Sequence, residues 1–255
     1  MKVAVYTAIF GDKDEIREPI NYKQSDGIDY FLITDNLNIK SYAYKIIHRK
    51  PFYDDITKNA RFYKIKGLDI FKNYDVLIWH DANIQMINNK IDVLVNKLDG
   101  KDFIFFRHPE RNCIYEEAIK CIQLNKDYPF TILKQIYYYK KKGIDKNKNL
   151  FATGIFIQNR KQILESVLNT WWNETRLRSR RDQLSLPFAL LSNNVTPNIL
   201  EVDIRCNEYS VFHQHKHKSY NFLSKETPNS YNPISKKIAI VFILLLKKLY
   251  INKNL

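Results

Sequence analysis

The sequence predicts an α/β fold, a mostly parallel central sheet with helices on both faces. Three observations carry this expectation. Short continuous apolar runs recur along the chain, as strands covered on both faces require. Segments of helical periodicity stand between them, the alternation that builds parallel sheets. With 255 residues, 45% hydrophobic and 14% aromatic, the chain can also bury one sizeable core.

The first strand is Val3 to Thr7, followed by a turn-forming loop around Gly11-Asp12. A second, Tyr30 to Thr34, ends at Asp35-Asn36, and Tyr44 to Ile47 gives a third before Pro51. From Ile56 to Phe71, the residues Ala60, Tyr63, Ile65, Leu68 and Phe71 fall roughly on one helical face, with Lys58, Arg61 and Lys64 on the other. The strand Val76 to Trp79 runs directly into His80-Asp81-Ala82-Asn83, and a helix from Ile91 to Leu98 follows. Phe103 to Phe106 is the next strand, ending at Arg107-His108-Pro109. Helices over Ile114 to Leu124 and Pro129 to Lys142 precede a strand at Ile155 to Gln158. Further helices are expected over Lys161 to Glu174 and Asp182 to Leu191, with Pro187 a kink or boundary in the latter. The chain divides into a domain of residues 1–217, a polar linker at 218–235, and a basic, apolar tail at 236–255.

The formal charge of +14 calls for an anionic partner: nucleic acid, a membrane surface, or a phosphate-bearing substrate. Nucleic acid is the least favoured, because no zinc-finger, P-loop or RNP-like pattern is present. Much of the excess lies after Lys216, where Glu226 is the only acid. In the tail, Lys236-Lys237 and Lys247-Lys248 bracket the apolar run Ile238 to Leu246. That run is far shorter than the ~20 residues a membrane span needs. It suits an interfacial anchor on an anionic leaflet; the alternative is a terminal helix docked on the domain or on a second copy. Three cysteines without CxxC spacing, and an N-terminus that enters a strand at once, point to a reducing, cytoplasmic compartment. The membrane-peripheral reading then places the protein on the inner face of the cytoplasmic membrane.

Ligands of open α/β sheets bind beyond the carboxyl ends of the strands, where Asp81 and Asn83 stand. Their oxygens, separated by one small residue, can share a hard cation such as Mg²⁺ or Mn²⁺; both residue types also form plain turns. Lys58 and Arg61, three apart, can neutralise a diphosphate together or simply form a solvated helix face. Asp182, with Gln183 beside it, reads as a helix N-cap, and a helix start at a sheet edge is also a natural site floor. The alternating histidines of His213-Gln214-His215-Lys216-His217 share one side of an extended segment, and imidazole is a good ligand for Mn²⁺ or Zn²⁺. Glu116-Glu117 can bind hydroxyl groups, or cap their helix and pair with Lys120.

Six short motifs in order resemble a glycosyltransferase-like family known from plant mucilage and cell-wall proteins, long catalogued as a domain of unknown function. They are Tyr6-Thr7-Ala8-Ile9-Phe10-Gly11, Ile33-Thr34-Asp35, Lys58-Asn59-Ala60-Arg61 with Lys64, Trp79-His80-Asp81-Ala82-Asn83, Arg107-His108-Pro109 with Cys113 to Ala118, and Arg181-Asp182-Gln183-Leu184-Ser185. The resemblance implies a GT-A-like fold and transfer of a sugar from a nucleotide-diphosphate donor to a glycan or polysaccharide acceptor. Asp81-Ala82-Asn83 is similar to an Asp-x-Asp metal motif that has lost one negative charge. By the same resemblance Thr7 and Ala8 sit against the nucleotide, Asp35 near its base or ribose, and Gly154 beside the donor sugar. Asp182 contacts sugar or acceptor, and His213 or His215 completes the metal site with Mn²⁺ or Mg²⁺. An inverting enzyme needs a base for the acceptor hydroxyl, for which Asp182 and Glu117 are candidates. A retaining enzyme does not need it there, and a catalytically inactive nucleotide-sugar or glycan-binding protein is the alternative reading.

Overall fold

The computed structural model describes residues 1–24, 27–145, 150–160, 165–214 and 232–249. Its centre is a mixed, mostly parallel sheet of seven strands. These are β1 (Val3–Ile9), β2 (Ile28–Thr34), β3 (Tyr44–His48), β4 (Val76–His80), β6 (Phe103–Arg107), β7 (Phe151–Asn159) and β8 (Asn198–Leu200). They lie in the order β3-β2-β1-β4-β7-β6-β8, with β5 (Ile84–Met86) and β9 (Ser210–Phe212) forming a separate antiparallel pair. All neighbours in the seven-stranded sheet are parallel except β7, which runs against both β4 and β6.

Alternate residues of each strand feed two cores. Val3, Val5, Leu32, Ile78 and Ile104 point to one side, where α2 (Ile91–Asn96) adds Ile91, Leu94 and Val95. Ala4, Tyr6, Phe31, Trp79 and Phe105 point to the other, against α1 (Ile56–Lys66), α5 (Glu165–Leu177) and α6 (Asp182–Ser192). This two-sided covering is why the central strands read as unbroken apolar runs. A third core joins α3 (Ile114–Gln123), α4 (Pro129–Lys141) and α7 (Pro233–Lys248) to Leu184 and Phe188 of α6.

Several boundaries differ from expectation. The helix expected to reach Phe71 stops at Lys66, because Gly67 takes φ 67° and a 3₁₀ turn follows at Asp69–Asn73. β7 starts four residues earlier than its most apolar stretch suggests. Pro187 stays inside α6 without ending it.

Strand order reverses between β1 and β4, the arrangement that opens a crevice at the carboxyl edge of a doubly wound sheet. The antiparallel β7 brings its N-terminal end to that same edge, with Ile155 opposite His80 and the Gly154 carbonyl accepting the Asp81 amide at 2.7 Å. There the β6–β7 register slips, so that Phe105 faces Phe156 but Phe106 faces Ala152. Irregularities of this kind re-aim backbone at sheet rims.

Candidate active site

A cleft of about 510 Å³ opens at this edge. Its walls come from the end of β1 and the loop after it (Ala8 to Phe10, Lys13, Asp14), from the segments after β4 (Asp81 to Ile84) and β6 (His108 to Arg111), from the start of β7 (Ala152 to Gly154), and from Arg180 to Gln183. Seven basic side chains line it (Lys13, Arg61, Arg111, Lys126, Arg180, Arg181 and Arg205) against four acids (Asp14, Asp81, Glu110 and Asp182). The cleft is therefore cationic, as a site for a phosphate-bearing ligand must be.

Its floor is a buried quartet of charges. Lys64 and Asp182 are almost wholly excluded from solvent. Lys64 Nζ lies 2.8 Å from Asp182 Oδ2 and 3.5 Å from Asp81 Oδ1. Arg61 Nε lies 2.9 Å from Asp182 Oδ1, and its Nη1 lies 3.3 Å from Asp81 Oδ1. One helical turn of α1 thus supplies both cations, and each touches both acids. The Trp79 indole donates to Asp81 Oδ1 at 2.9 Å, and the Asp182 carbonyl accepts from the Trp171 indole at 2.8 Å. Burial pushes both carboxyls up, but the two cations outweigh it: Asp81 is held below the usual carboxylate range and Asp182 well below it. Burial, then Arg61, pulls the Lys64 ammonium below its ordinary value, with Asp182 and Asp81 opposing. At the rim, burial with Arg61 and Arg181 nearby lowers Lys13 to about 8.

α1 is positioned by its own sequence. Asp55 caps it by accepting the Thr57 amide at 2.9 Å. The buried Asn59 accepts the amides of Phe52 and Tyr53 and donates to the carbonyls of Tyr53 and Asp55, which fixes the entering loop. His80 holds the β4 exit: its Nδ1 faces the Ile84 carbonyl at 2.9 Å and its Nε2 the Tyr44 hydroxyl at 3.1 Å. Burial lowers its pKa to about 4, so it is a neutral brace.

Of the residues singled out in the sequence, Ala8, Arg61, Asp81, Asn83, Gly154, Asp182 and Gln183 line the cleft. Gln183 donates to the Phe151 carbonyl at 2.9 Å and anchors the start of β7. A Cβ on Gly154 would stand 3.0 Å from Ile84 Cδ1, 3.1 Å from Ile204 Cδ1 and 3.6 Å from Asp81 Oδ2, so this position admits no side chain without displacement. Asp182 is the first residue of α6 and turns its carboxylate to the cations instead of capping.

Others lie elsewhere. Thr7 is fully buried within β1 and is not part of the wall. Asp35 clasps the Gly11 amide with both oxygens, at 3.1 and 3.2 Å, and so fixes the loop after β1. Lys58 reaches away to the Arg176 carbonyl at 3.0 Å, near the end of α5. Glu117 is buried behind the cleft, where it bonds Arg111 Nε at 2.7 Å and lies 3.8 Å from Arg181. Its role here is to aim two wall arginines. In the sequence Lys64 stands on the basic side of its helix with no role of its own; burial against two acids reveals it as the centre of the floor.

Of the residues expected to hold Mn²⁺ or Mg²⁺, Asp81, Asn83 and His213 are described, and each has other partners. Every described side-chain contact of Asp81 falls on Oδ1 and comes from a cation or an indole. Asn83 donates its amide to the His213 carbonyl at 3.0 Å. His213 places Nε2 2.9 Å from Gln85 Oε1, and burial lowers its pKa. His215 lies outside the described residues. Among the described residues no three His, Cys, Asp or Glu side chains group around a common point. On Asp81, Oδ1 already meets two cations, Arg61 at 3.3 Å and Lys64 at 3.5 Å.

A cationic cleft at the switch point of a mostly parallel sheet has the charge and the position that suit a phosphorylated ligand. The family described as TOD1/MUCI70, glycosyltransferase-like domain, matches residues 1–217, and the chain belongs to it. Comparison with curated proteins gives no match.

Proposed function

We propose that the cleft binds a nucleotide-diphosphate sugar and transfers the sugar to a glycan or polysaccharide hydroxyl. The observation that carries this reading is the excess of positive charge over a floor of fixed ion pairs, at the edge where such folds bind nucleotides. In this reading the leaving diphosphate is neutralised by side-chain cations. Arg61, Arg181 and Lys13 are preorganised around the developing charge and need not reorganise during reaction. Asp81, partly open to the cleft, orients a sugar hydroxyl. Asp182 is no base in this scheme: both its oxygens are committed, and its role is to keep Lys64 and Arg61 charged and aimed. No step is routed through a metal ion. A cytoplasmic location belongs to the same proposal.

A second reading, a nucleotide-sugar binder without turnover, is favoured by the commitment of Asp182 and Glu117 to ion pairs. One assay separates the two. Nucleotide sugars are screened by thermal shift in EDTA and in Mn²⁺, and the stabilising donors are then incubated with the protein and oligosaccharide mixtures. A transferase releases nucleoside diphosphate and extends an oligosaccharide. A donor that stabilises the protein but stays intact supports the binder, and no stabilisation by any donor sinks both.

A further inference from the structure

The sequence leaves three homes for the tail, a membrane surface, the domain or a second copy, and the structure seats α7 on the domain with an apolar face to spare. α7 seats Ala239 and Ile243 in the third core, against α3 and α4, and Lys247 pairs with Glu116 at 2.7 Å. The opposite face carries Ile234, Ile238, Val241, Phe242 and Leu245, spaced by three and four residues and each between 41% and 62% exposed. Lys237 and Lys248 are exposed along the margin of the same face, and no acid occurs between Asn232 and Leu249. The helix therefore docks through Ala239, Ile240, Ile243 and Leu246 and turns a second hydrocarbon strip outward.

We propose that this outward face lies in the headgroup region of an anionic bilayer, with Lys237 and Lys248 against lipid phosphates. Sixteen residues span about 24 Å, short of the ~30 Å hydrocarbon core, and no described helix is long and apolar enough to cross a membrane. The helix thus lies along the surface. A second copy is the poorer occupant. Antiparallel pairing of two such faces sets Lys237 near Lys248 of the other copy, and in any pairing neither helix offers an acid to offset the lysines. Lipid phosphate supplies the missing counter-charge. The inference does not depend on the transferase reading, because it concerns a face with its own residues and its own readout.

The test is co-flotation of the full chain with vesicles of phosphatidylcholine alone and of phosphatidylcholine with phosphatidylglycerol. Binding is expected to the anionic vesicles only and to weaken with salt. Val241→Glu with Phe242→Glu should abolish it, while Lys237→Gln with Lys248→Gln should weaken it, about fivefold per lysine. Neither pair touches the docked strip, so an unchanged melting temperature certifies the fold. Failure of the unaltered chain to float with anionic vesicles overturns the proposal. So does a dimer in solution that V241E/F242E converts to a monomer.

Discussion

The cleft floor and the terminal helix break the usual partition of side chains in opposite directions. Beneath the cleft, the ionisable side chains of Lys64 and Asp182 stand at 0% and 1% exposure. On α7, Val241 and Phe242 hold hydrocarbon in solvent at 54% and 53% exposure. Buried charge is tolerated only where every charge is paired, and the quartet meets that condition internally with two acids and two bases. Exposed hydrocarbon in a contiguous stripe has no internal remedy and needs a partner from outside. One anomaly is thus closed on itself and the other is open, and experiment should treat them differently.

The sharpest way to break the comparison is to unbalance the quartet. Asp182→Asn leaves Lys64 and Arg61 sharing one acid and should cost about 3–5 kcal/mol, read by denaturant unfolding. Lys64→Met should cost nearly as much, and the double variant less than the sum of the two. If D182N unfolds like the unaltered chain, the floor is not a closed charge system. Next, Asp81→Asn, at the half-open end of the quartet, should cut turnover or donor affinity about 10–100-fold, the worth of a charged hydrogen bond. Its stability loss should be well below that of D182N, since its side chain is 30% exposed.

Smaller effects sharpen the picture. Gly154→Ala must push Ile84 and Ile204 aside and should destabilise by about 1–3 kcal/mol, while weakening donor binding. The pH dependence follows from the shifted groups. Asp182 titrates below its unfolded value of about 3.9, so its contribution is whole above that pH and fades as pH falls through the folded value. The acid limb of a stability curve should accordingly flatten in D182N. Lys13, lowered to about 8, loses its proton within the assay range. Donor affinity should fall between pH 7 and 9, and Lys13→Arg should remove that fall. Last, chelation with EDTA should leave donor binding unchanged; a strict requirement for Mn²⁺ would instead mean that Asp81 abandons its cations on loading.

Legibility of the sequence tracked the range of the interaction. Strands β1, β2, β4 and β6 were readable because double-sided burial writes itself as unbroken hydrocarbon. The antiparallel direction of β7 was not, since an apolar run carries no arrow. Strands β5 and β9 have three residues each and leave no period to detect. At the site, Thr7 and Ala8 face opposite sides of one strand. Alternation says that they differ but not which of them meets the cleft. The pairs Lys58–Arg61 and Arg61–Lys64 have the same spacing, and only the docking of α1 selects the second. Asp35 had the chemistry of a ligand and serves as a clasp, because a loop amide came within reach first. His213 had the chemistry of a metal ligand, yet its described bond goes to Gln85.

The cations of α1 come from residues 61 and 64, while the second acid arrives only at residue 182. On a ribosome, the N-terminal half emerges with a lysine ready to be dehydrated and half of its counter-charge still unsynthesised. That half has every reason to stay open until α6 is delivered. The floor cannot be complete before α6 is made, and a chain truncated ahead of Asp182 cannot present a finished pocket to its ligand.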